Sequence, residues 1–256
     1  MMETDRGQVS VPTAGKVATV LVAYNERANL VVLLPRLQRT LDALGLPWEM
    51  VLVIEGSDGS REWVDEFAQG LPGGRVKVSW VPRRRGFGNA LREGFRLLSP
   101  DVSLVATMDC DLNHSPEELP RFLEAYRQTG AHVVVGSRYL NRKRVEALPW
   151  WKRWASSLTN RALPLLTGVS LTDITSNYRL YRREVVEVLA KETRANDFSF
   201  APEAILCAAR RGFLLTEVSI VFQPRRHGVS KLPKMSTTLG YLRLFAVHTL
   251  RRAMRP

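Results

Sequence analysis

The chain has 256 residues, 45% of them hydrophobic, and a formal net charge of +12 at pH 7. This length and apolar content suit one buried α/β core, and the excess of basic residues indicates an anionic partner. Since no zinc spacing, basic zipper or aromatic RNA-binding signature is present, the sequence favours anionic lipid or phosphorylated small molecules over nucleic acid, and a nucleic-acid-binding module is kept as an alternative.

Strands and helices alternate through the first half of the chain. Strands are predicted at 16–23, 49–54, 76–81, 102–108 and 131–137. Between them the periodicity predicts helices at 26–44, about 61–68, 86–98 and 116–129. This order predicts an α/β fold with a mostly parallel sheet flanked by helices.

Beyond residue 138 the alternation loosens. The following elements are predicted: a helix at 149–166, a short strand within 173–181, helices near 184–190 and 201–211, a strand at 215–222 and a helix from about 236 to 252. The last helix is amphipathic with basic borders, a pattern that suits either core packing or an anionic membrane surface. We expect a flexible segment at 1–16, one α/β domain at 17–235 and an amphipathic basic helix at 236–256.

Two carboxylates follow the predicted strand 102–108. Asp109 and Asp111 share one side of an extended backbone, at the end of the sheet where open α/β folds bind ligands. With Asn113 as a third oxygen ligand they suit a hard divalent cation that neutralises a diphosphate. The alternative is that the aspartates only turn the chain. Ser115, followed by a proline and two glutamates, is predicted to cap the next helix, which leaves the aspartates free for another role.

A dinucleotide-binding domain is excluded by the turn after the first strand. That turn, 22–26, contains no glycine, and the later Gly86-Phe87-Gly88 lacks the third glycine of the fingerprint.

Seven ordered segments, between residues 17 and 235, resemble the motifs of family 2 glycosyltransferases: Ala23-Tyr24-Asn25-Glu26, Glu55-Gly56-Ser57-Asp58-Gly59-Ser60, Gly86-Phe87-Gly88-Asn89-Ala90, Asp109-Cys110-Asp111-Leu112-Asn113-His114, Gly136-Ser137-Arg138-Tyr139, Asp173-Ile174-Thr175-Ser176-Asn177-Tyr178-Arg179 and Phe222-Gln223-Pro224-Arg225-Arg226-His227-Gly228-Val229-Ser230-Lys231. The set is most similar to the branch that transfers mannose from GDP-mannose to dolichyl phosphate. The resemblance implies a GT-A fold, a nucleotide-sugar donor, Mg²⁺ or Mn²⁺, and inversion at the anomeric carbon.

The resemblance also implies roles for individual residues. Donor binding is assigned to Ala23, Tyr24, Glu26, Glu55, Arg84, Gly86, Gly88 and Asp109. Metal binding is assigned to Asp109, Asp111 and Asn113. Binding of the acceptor phosphate is assigned to Arg138, Arg153, Ser156, Arg225 and Lys231, and the catalytic set is Asp111, Arg138, Arg225 and Lys231. Because a polyprenyl phosphate is already an anion, such a site needs cations and no general base.

Several of these residues have structural alternatives. Glu26 suits the first turn of a helix, and Gly86 and Gly88 suit a tight turn between strand and helix. Arg138 suits an ion pair with a surface acid, and the loop around Arg225 suits a solvated basic surface.

The chain departs from the family pattern at four places. Val22 replaces a proline, Ile54-Glu55 replaces a pair of aspartates, Asn177 replaces a glycine, and Ser157 stands where an arginine is usual. The second change leaves the nucleobase preference open. The alternatives are therefore another donor such as UDP-glucose, a natural-product acceptor, or an inactive subunit that binds sugar nucleotides.

The implied acceptor, dolichyl or undecaprenyl phosphate, places the protein at a membrane surface, with a membrane-anchored partner subunit as a further option. The first 16 residues match neither a signal nor a transit peptide, and no run of roughly 18 apolar residues occurs. Cys110 and Cys207 lie in apolar segments, which indicates a reducing compartment. We expect a cytoplasmic protein, peripheral at the cytoplasmic face of a membrane.

Overall fold

The computed structural model describes residues 15–140, 168–221 and 223. The strands in these ranges are Lys16–Tyr24 (β1), Trp48–Glu55 (β2), Val76–Val81 (β3), Val102–Asp109 (β4), Val133–Ser137 (β5), Arg179–Arg182 (β6) and Leu215–Ser219 (β7). The helices are Arg27–Ala43 (α1), Ser60–Gln69 (α2), Phe87–Arg96 (α3), Leu119–Thr129 (α4), Arg183–Glu192 (α5) and Phe200–Arg210 (α6), with a 3-10 turn at Pro116–Glu118.

All seven strands join one sheet, in the order β3-β2-β1-β4-β6-β5-β7. Strands β3, β2, β1 and β4 run parallel to their neighbours, and β7 runs parallel to β5. Only β6 is antiparallel to both of its neighbours. The predicted α/β class and the mostly parallel sheet are confirmed.

Helices cover both faces of the sheet. Along β1, Val17 and Leu21 pack with α1, α2 and α4, whereas Ala18 and Val20 pack with α3, α5 and α6. This alternation follows from the two-residue period of a strand. Strand β2 is buried along its whole length, as expected of a central parallel strand with helices on both sides. Each fully buried leucine, such as Leu37, contributes roughly 1.5–3 kcal/mol relative to exposure.

The segment after Ser115 differs from the prediction. It forms the 3-10 turn first and only then α4, and the Ser115 side chain makes no capping hydrogen bond. Its hydroxyl instead accepts a bond from the side-chain amide of Gln223, at 3.4 Å. The turn is closed by the backbone, as Glu118 N donates to the Ser115 carbonyl at 3.1 Å. Ser115 therefore occupies the predicted N-cap position, before Pro116 and the two glutamates, but the side-chain cap that we expected is absent.

The strand predicted within 173–181 begins only at Arg179. Residues 173–178 form an irregular loop, because side chains such as Asp173 occupy the backbone N–H groups that a strand would pair. The helix predicted at 149–166, the terminal helix at 236–256 and most of the segment 1–16 lie outside the described residues. Among the helices given above, none combines the length and apolar composition that a bilayer-spanning helix needs.

Candidate active site

The carboxyl ends of three parallel strands bring predicted site residues to one edge of the sheet. Tyr24 at the end of β1 is in register with Glu55 at the end of β2. Val22 of β1 is in register with Asp109 at the end of β4. The predicted donor and metal residues of these strands are therefore neighbours at the edge where parallel α/β sheets bind ligands.

The loop after β4 places Asp111 and Asn113 against each other. Leu112 between them has a left-handed backbone, with φ of 63°, which turns the chain sharply. Asn113 donates to both carboxylate oxygens of Asp111, from its backbone N at 3.2 Å and from Nδ2 at 2.8 Å. Its side-chain carbonyl oxygen is buried and has no hydrogen-bond partner.

An unsatisfied buried carbonyl oxygen costs about 1–3 kcal/mol. Oδ1 of Asn113, a residue bound to the Asp111 carboxylate, suits a hard divalent cation, which prefers oxygen ligands. Within the described ranges no three His, Cys, Asp or Glu side chains are arranged to hold a metal. Asp109, Asp111 and Asn113 therefore fit Mg²⁺ or Mn²⁺ only as a partial ligand set, which needs further oxygens from a bound diphosphate or from water.

The electrostatics around Asp109 also favour a cation. Burial raises the pKa of Asp109, and the nearby negative charge of Asp111 adds to the effect. His114 offsets this effect only in part: burial lowers the pKa of its imidazole, and its Nδ1 accepts the Asp109 N–H at 3.3 Å. A bound divalent cation would remove the cost of holding two carboxylates together.

Glu55 holds the turn that precedes α3. It is buried, and its Oε1 accepts a hydrogen bond from the Arg85 backbone N at 3.0 Å and lies 3.8 Å from Arg85 Nε. Burial raises the pKa of Glu55, against the effect of these bonds. Its carboxylate is thus already used inside the protein, and its role in binding the nucleoside remains a prediction.

The two glycines of this turn allow another loop to approach closely. A Cβ atom on Gly86 would lie 2.3 Å from the carbonyl oxygen of Asn196, and one on Gly88 would lie 2.1 Å from that of Ala195. The Gly88 amide donates to the Asn196 carbonyl at 3.1 Å. Close packing against this loop, rather than the tightness of the turn alone, therefore accounts for both glycines, and their part in donor binding remains a prediction.

The same loop, residues 193–199, brings Phe198 to the predicted donor residues. The guanidinium of Arg84 lies 5.2 Å from the ring centre of Tyr24 and 6.0 Å from that of Phe198. Phe198 also stacks on Phe87 with ring centres 4.9 Å apart. No local sequence pattern pointed to Phe198, because its contacts join segments far apart in the chain.

Glu26 stands just before α1, but its side chain does not cap that helix. Its Oε2 instead accepts a hydrogen bond from the side-chain amide of Asn29. Ala23, one residue before Tyr24, is buried in β1.

On the other side of Asp109, Arg138 follows β5 and pairs with Asp173. Its Nε and one terminal nitrogen donate to the two carboxylate oxygens at 2.7 and 2.9 Å. The Asp173 side chain is 1% exposed and that of Arg138 is 25% exposed. Burial opposes both charges, yet the pair raises the pKa of Arg138 and lowers that of Asp173, so both are ionised. The sequence analysis allowed Arg138 to pair with an acid at the surface. Arg138 does form an ion pair, but its acid, Asp173, is buried.

Residues 172–177, which we name the bridging loop, connect this ion pair with Asp109. Glu217 of β7 fixes one end by accepting the backbone N–H groups of Thr172 and Asp173 at 2.8 and 3.0 Å. At the other end Nδ2 of Asn177 donates to Oδ1 of Asp109 at 3.2 Å. Sequence reasoning missed the role of Glu217. The remaining predicted acceptor residues, Arg153, Ser156, Arg225 and Lys231, lie outside the described ranges.

Comparison with known proteins agrees with this geometry. Residues 19–190 match the sequence profile of Glycosyl transferase family 2. The chain belongs to this family. It is therefore a glycosyltransferase, as the ordered motifs indicated.

Three curated relatives act on polyprenyl carriers, according to their names. The polyprenol monophosphomannose synthase of Mycolicibacterium smegmatis is 35% identical over 83% of this chain and 79% of its own length. The undecaprenyl-phosphate mannosyltransferase of Micrococcus luteus is 34% identical over 85% of this chain and 87% of its own length. The undecaprenyl-phosphate 4-deoxy-4-formamido-L-arabinose transferase of Aeromonas hydrophila is 34% identical over 84% of this chain, and the match spans 62% of that longer relative.

Solved structures share the fold at low sequence identity. The mannosyl-3-phosphoglycerate synthase of Rubrobacter xylanophilus superposes with a TM-score of 0.67 at 14% identity, over 94% of this chain and 77% of its own. The glucosyl-3-phosphoglycerate synthase of Mycobacterium tuberculosis, solved with Mn²⁺, UDP-glucose and phosphoglyceric acid, has a TM-score of 0.64 at 20% identity, over 94% and 81%. These likenesses confirm the predicted GT-A fold.

Proposed function

We propose that this glycosyltransferase transfers a sugar from a nucleotide sugar to a polyprenyl phosphate at a membrane surface, with inversion, and that the pair is GDP-mannose and dolichyl or undecaprenyl phosphate. The observation that carries the proposal is the unsatisfied oxygen of Asn113, which is bound to Asp111 in the loop after Asp109, at the sheet edge that also holds Tyr24. The names of the relatives from M. smegmatis and M. luteus support the acceptor class and the sugar.

On the donor side, we assign stabilisation of the leaving group to the carboxylates that follow β4. Asp109, Asp111 and Asn113 would hold Mg²⁺ or Mn²⁺, which when bound neutralises the charge of a diphosphate leaving group. The nucleoside would lie near Tyr24 and Arg84, at the ends of β1 and β3. Solved members of the same fold contain Mn²⁺ with a nucleotide sugar, which supports the use of a metal.

On the acceptor side, we assign binding of the polyprenyl phosphate to Arg138. The phosphate oxygen forms the new bond to the anomeric carbon while the bond from that carbon to the diphosphate oxygen breaks. Because the nucleophile is already an anion, no residue needs to remove a proton. The two bonds to Asp173 fix the plane of the guanidinium, which suits binding of a tetrahedral phosphate in a defined place. Arg153, Ser156, Arg225 and Lys231 are proposed to complete this phosphate site.

A different sugar is the second candidate. The relative from A. hydrophila carries a modified arabinose in its name, at nearly the same identity as the mannosyltransferases. Glu55 replaces the usual aspartate pair and is engaged with Arg85, so the contacts to the base differ from the family pattern. UDP-linked sugars therefore belong in any screen, as does a natural-product acceptor.

The deciding experiment is a matrix of nucleotide sugars against short-chain polyprenyl phosphates, with Mg²⁺ or Mn²⁺ added. We expect product only with a divalent metal, and the highest turnover with GDP-mannose. Asp109→Asn is the inactive control. Donor binding without transfer or hydrolysis under any condition would instead favour an inactive sugar-nucleotide-binding subunit, and transfer to a non-lipid acceptor alone would reject the membrane role.

We propose that the protein is a peripheral membrane protein at the cytoplasmic face of a membrane. The amphipathic helix predicted at 236–256 is proposed to bring the phosphate site to headgroup height, alone or with a membrane-anchored partner subunit. Co-sedimentation with anionic liposomes in low salt, compared between the whole chain and one lacking residues 239–256, tests this assignment. Equal binding by both would show that the helix is not the membrane contact.

A further inference from the structure

Asn177 is tied to β4 by two different bonds. Its side-chain Nδ2 donates to Oδ1 of Asp109 at 3.2 Å, and its backbone carbonyl accepts the hydroxyl of Thr107 at 2.7 Å. Thr107 lies two residues before Asp109 in the same strand. The side chain of Asn177 is therefore held at a fixed position relative to the carboxylate that ends this strand, and the residue is only 6% exposed.

The bond to Asp109 is a feature of this chain rather than of the motif. The family pattern has glycine where this chain has Asn177, and glycine has no side chain to donate to Asp109. The backbone at Asn177 does not require glycine either, since the described non-glycine residues with positive φ are Asn25 and Leu112. The asparagine thus adds a hydrogen bond without adding backbone strain.

The chemistry of the carboxylate explains what such a bond can do. The Asp109 side chain is 33% exposed, and an aspartate carboxylate without hydrogen bonds is free to rotate about its side-chain bonds. An amide donor on Oδ1 restricts that rotation and leaves Oδ2 for another ligand. Groups that orient a metal ligand typically change metal affinity by about 10- to 100-fold.

We infer that Asn177 is a positioning residue: its amide orients Asp109 for the divalent cation. The affinity for the metal is therefore higher than it would be with glycine at position 177. This inference rests on the metal site of the proposed function. It also means that the bridging loop reaches from the acceptor cation Arg138 to the metal ligand Asp109.

The test is a Mn²⁺ titration of the whole purified chain, followed by the electron paramagnetic resonance signal of free Mn²⁺, with and without GDP. Wild type is compared with Asn177→Ala, Asn177→Gly and Asp109→Asn. Since the bond from Thr107 goes to the backbone carbonyl, the alanine variant keeps that bond and removes the amide donor. We expect about tenfold weaker Mn²⁺ binding for Asn177→Ala and Asn177→Gly, and none for Asp109→Asn.

A purely structural role for Asn177 predicts another result. In that case Asn177→Ala would have a lower melting temperature than wild type but a Mn²⁺ dissociation constant within twofold of it. That result would overturn the inference, and the proposed function would stand. If wild type itself binds no Mn²⁺ even with GDP, the metal site is wrong and the inference falls with it. Asn177→Ser, whose side chain is too short to repeat the bond, serves in place of alanine if that variant does not fold, with the same expected loss.

Discussion

The ion pair between Arg138 and Asp173 allows a sharp test, because the chain contains a second pair of the same geometry at its surface. Arg36 binds Glu117 through Nε and a terminal nitrogen, both at 2.8 Å. The Glu117 side chain is 52% exposed, whereas that of Asp173 is 1% exposed. Removing the negative charge from each acid therefore compares a buried with an exposed carboxylate at similar geometry toward the arginine.

We expect Asp173→Asn to cost roughly 3–5 kcal/mol of unfolding free energy, because it breaks an ion pair whose acid is buried and leaves the partly buried Arg138 guanidinium without this counter-charge. The carboxylate also accepts the backbone N–H groups of Arg138, Thr175 and Ser176, and the amide nitrogen of an asparagine would face donors. Glu117→Gln should cost about 1 kcal/mol or less, as exposed pairs do.

The pH dependence has a definite sign. The pairing with Arg138 outweighs burial and lowers the pKa of Asp173, so its stabilisation is complete above the unfolded-chain value of about 4 and is lost as the pH falls below it. Urea unfolding at pH 7 and at decreasing pH measures both effects. Equal costs for Asp173→Asn and Glu117→Gln at pH 7 would refute the reasoning. In assays of transfer, Asp173→Asn should raise the KM for the polyprenyl phosphate and leave GDP binding unchanged.

Three further predictions concern other parts of the site. Asp109→Asn should lower metal-dependent transfer by roughly a thousandfold with an unchanged melting transition, measured at saturating donor. Gly88→Ala should cost about 1–3 kcal/mol and raise the donor KM, because its Cβ meets the backbone carbonyl of the 193–199 loop; Gly73→Ala, with nothing within 4 Å, is the control that should be neutral in urea unfolding. Arg225→Ala should weaken transfer far more than binding of the nucleotide by calorimetry, and Arg226→Ala should do little; identical behaviour would reduce this loop to a solvated surface.

The sequence predicted the local features of the fold well. Each strand of the first half is an apolar run of ordinary strand length, so hydrophobic pattern alone located β1 to β5 within about two residues. Because Asp109 ends such a run, its place at the sheet edge followed from the same pattern. The prediction failed at Ser115, where a 3-10 turn closed by the backbone replaces the expected side-chain cap.

Long-range contacts could not be predicted in this way. Asn177 and Asp109 are 68 residues apart, and Glu217 and Asp173 are 44 apart. No local periodicity encodes which loop meets which strand end. The resemblance to the family pattern marked Asn177 as unusual, but only the packing of β6 between β4 and β5 shows which carboxylate it contacts.

The contact between the Gly86–Gly88 turn and the 193–199 loop has a consequence for attempts to change the donor. The two segments fit each other closely: positions 86 and 88 have room only for glycine, and the loop carbonyls of Ala195 and Asn196 occupy the space that a Cβ atom would fill. Grafting either segment alone from a relative with a different sugar would bring together surfaces that do not fit each other. Chimaeras should therefore exchange both segments at once, and a library built on one should keep the other as its fixed counterpart.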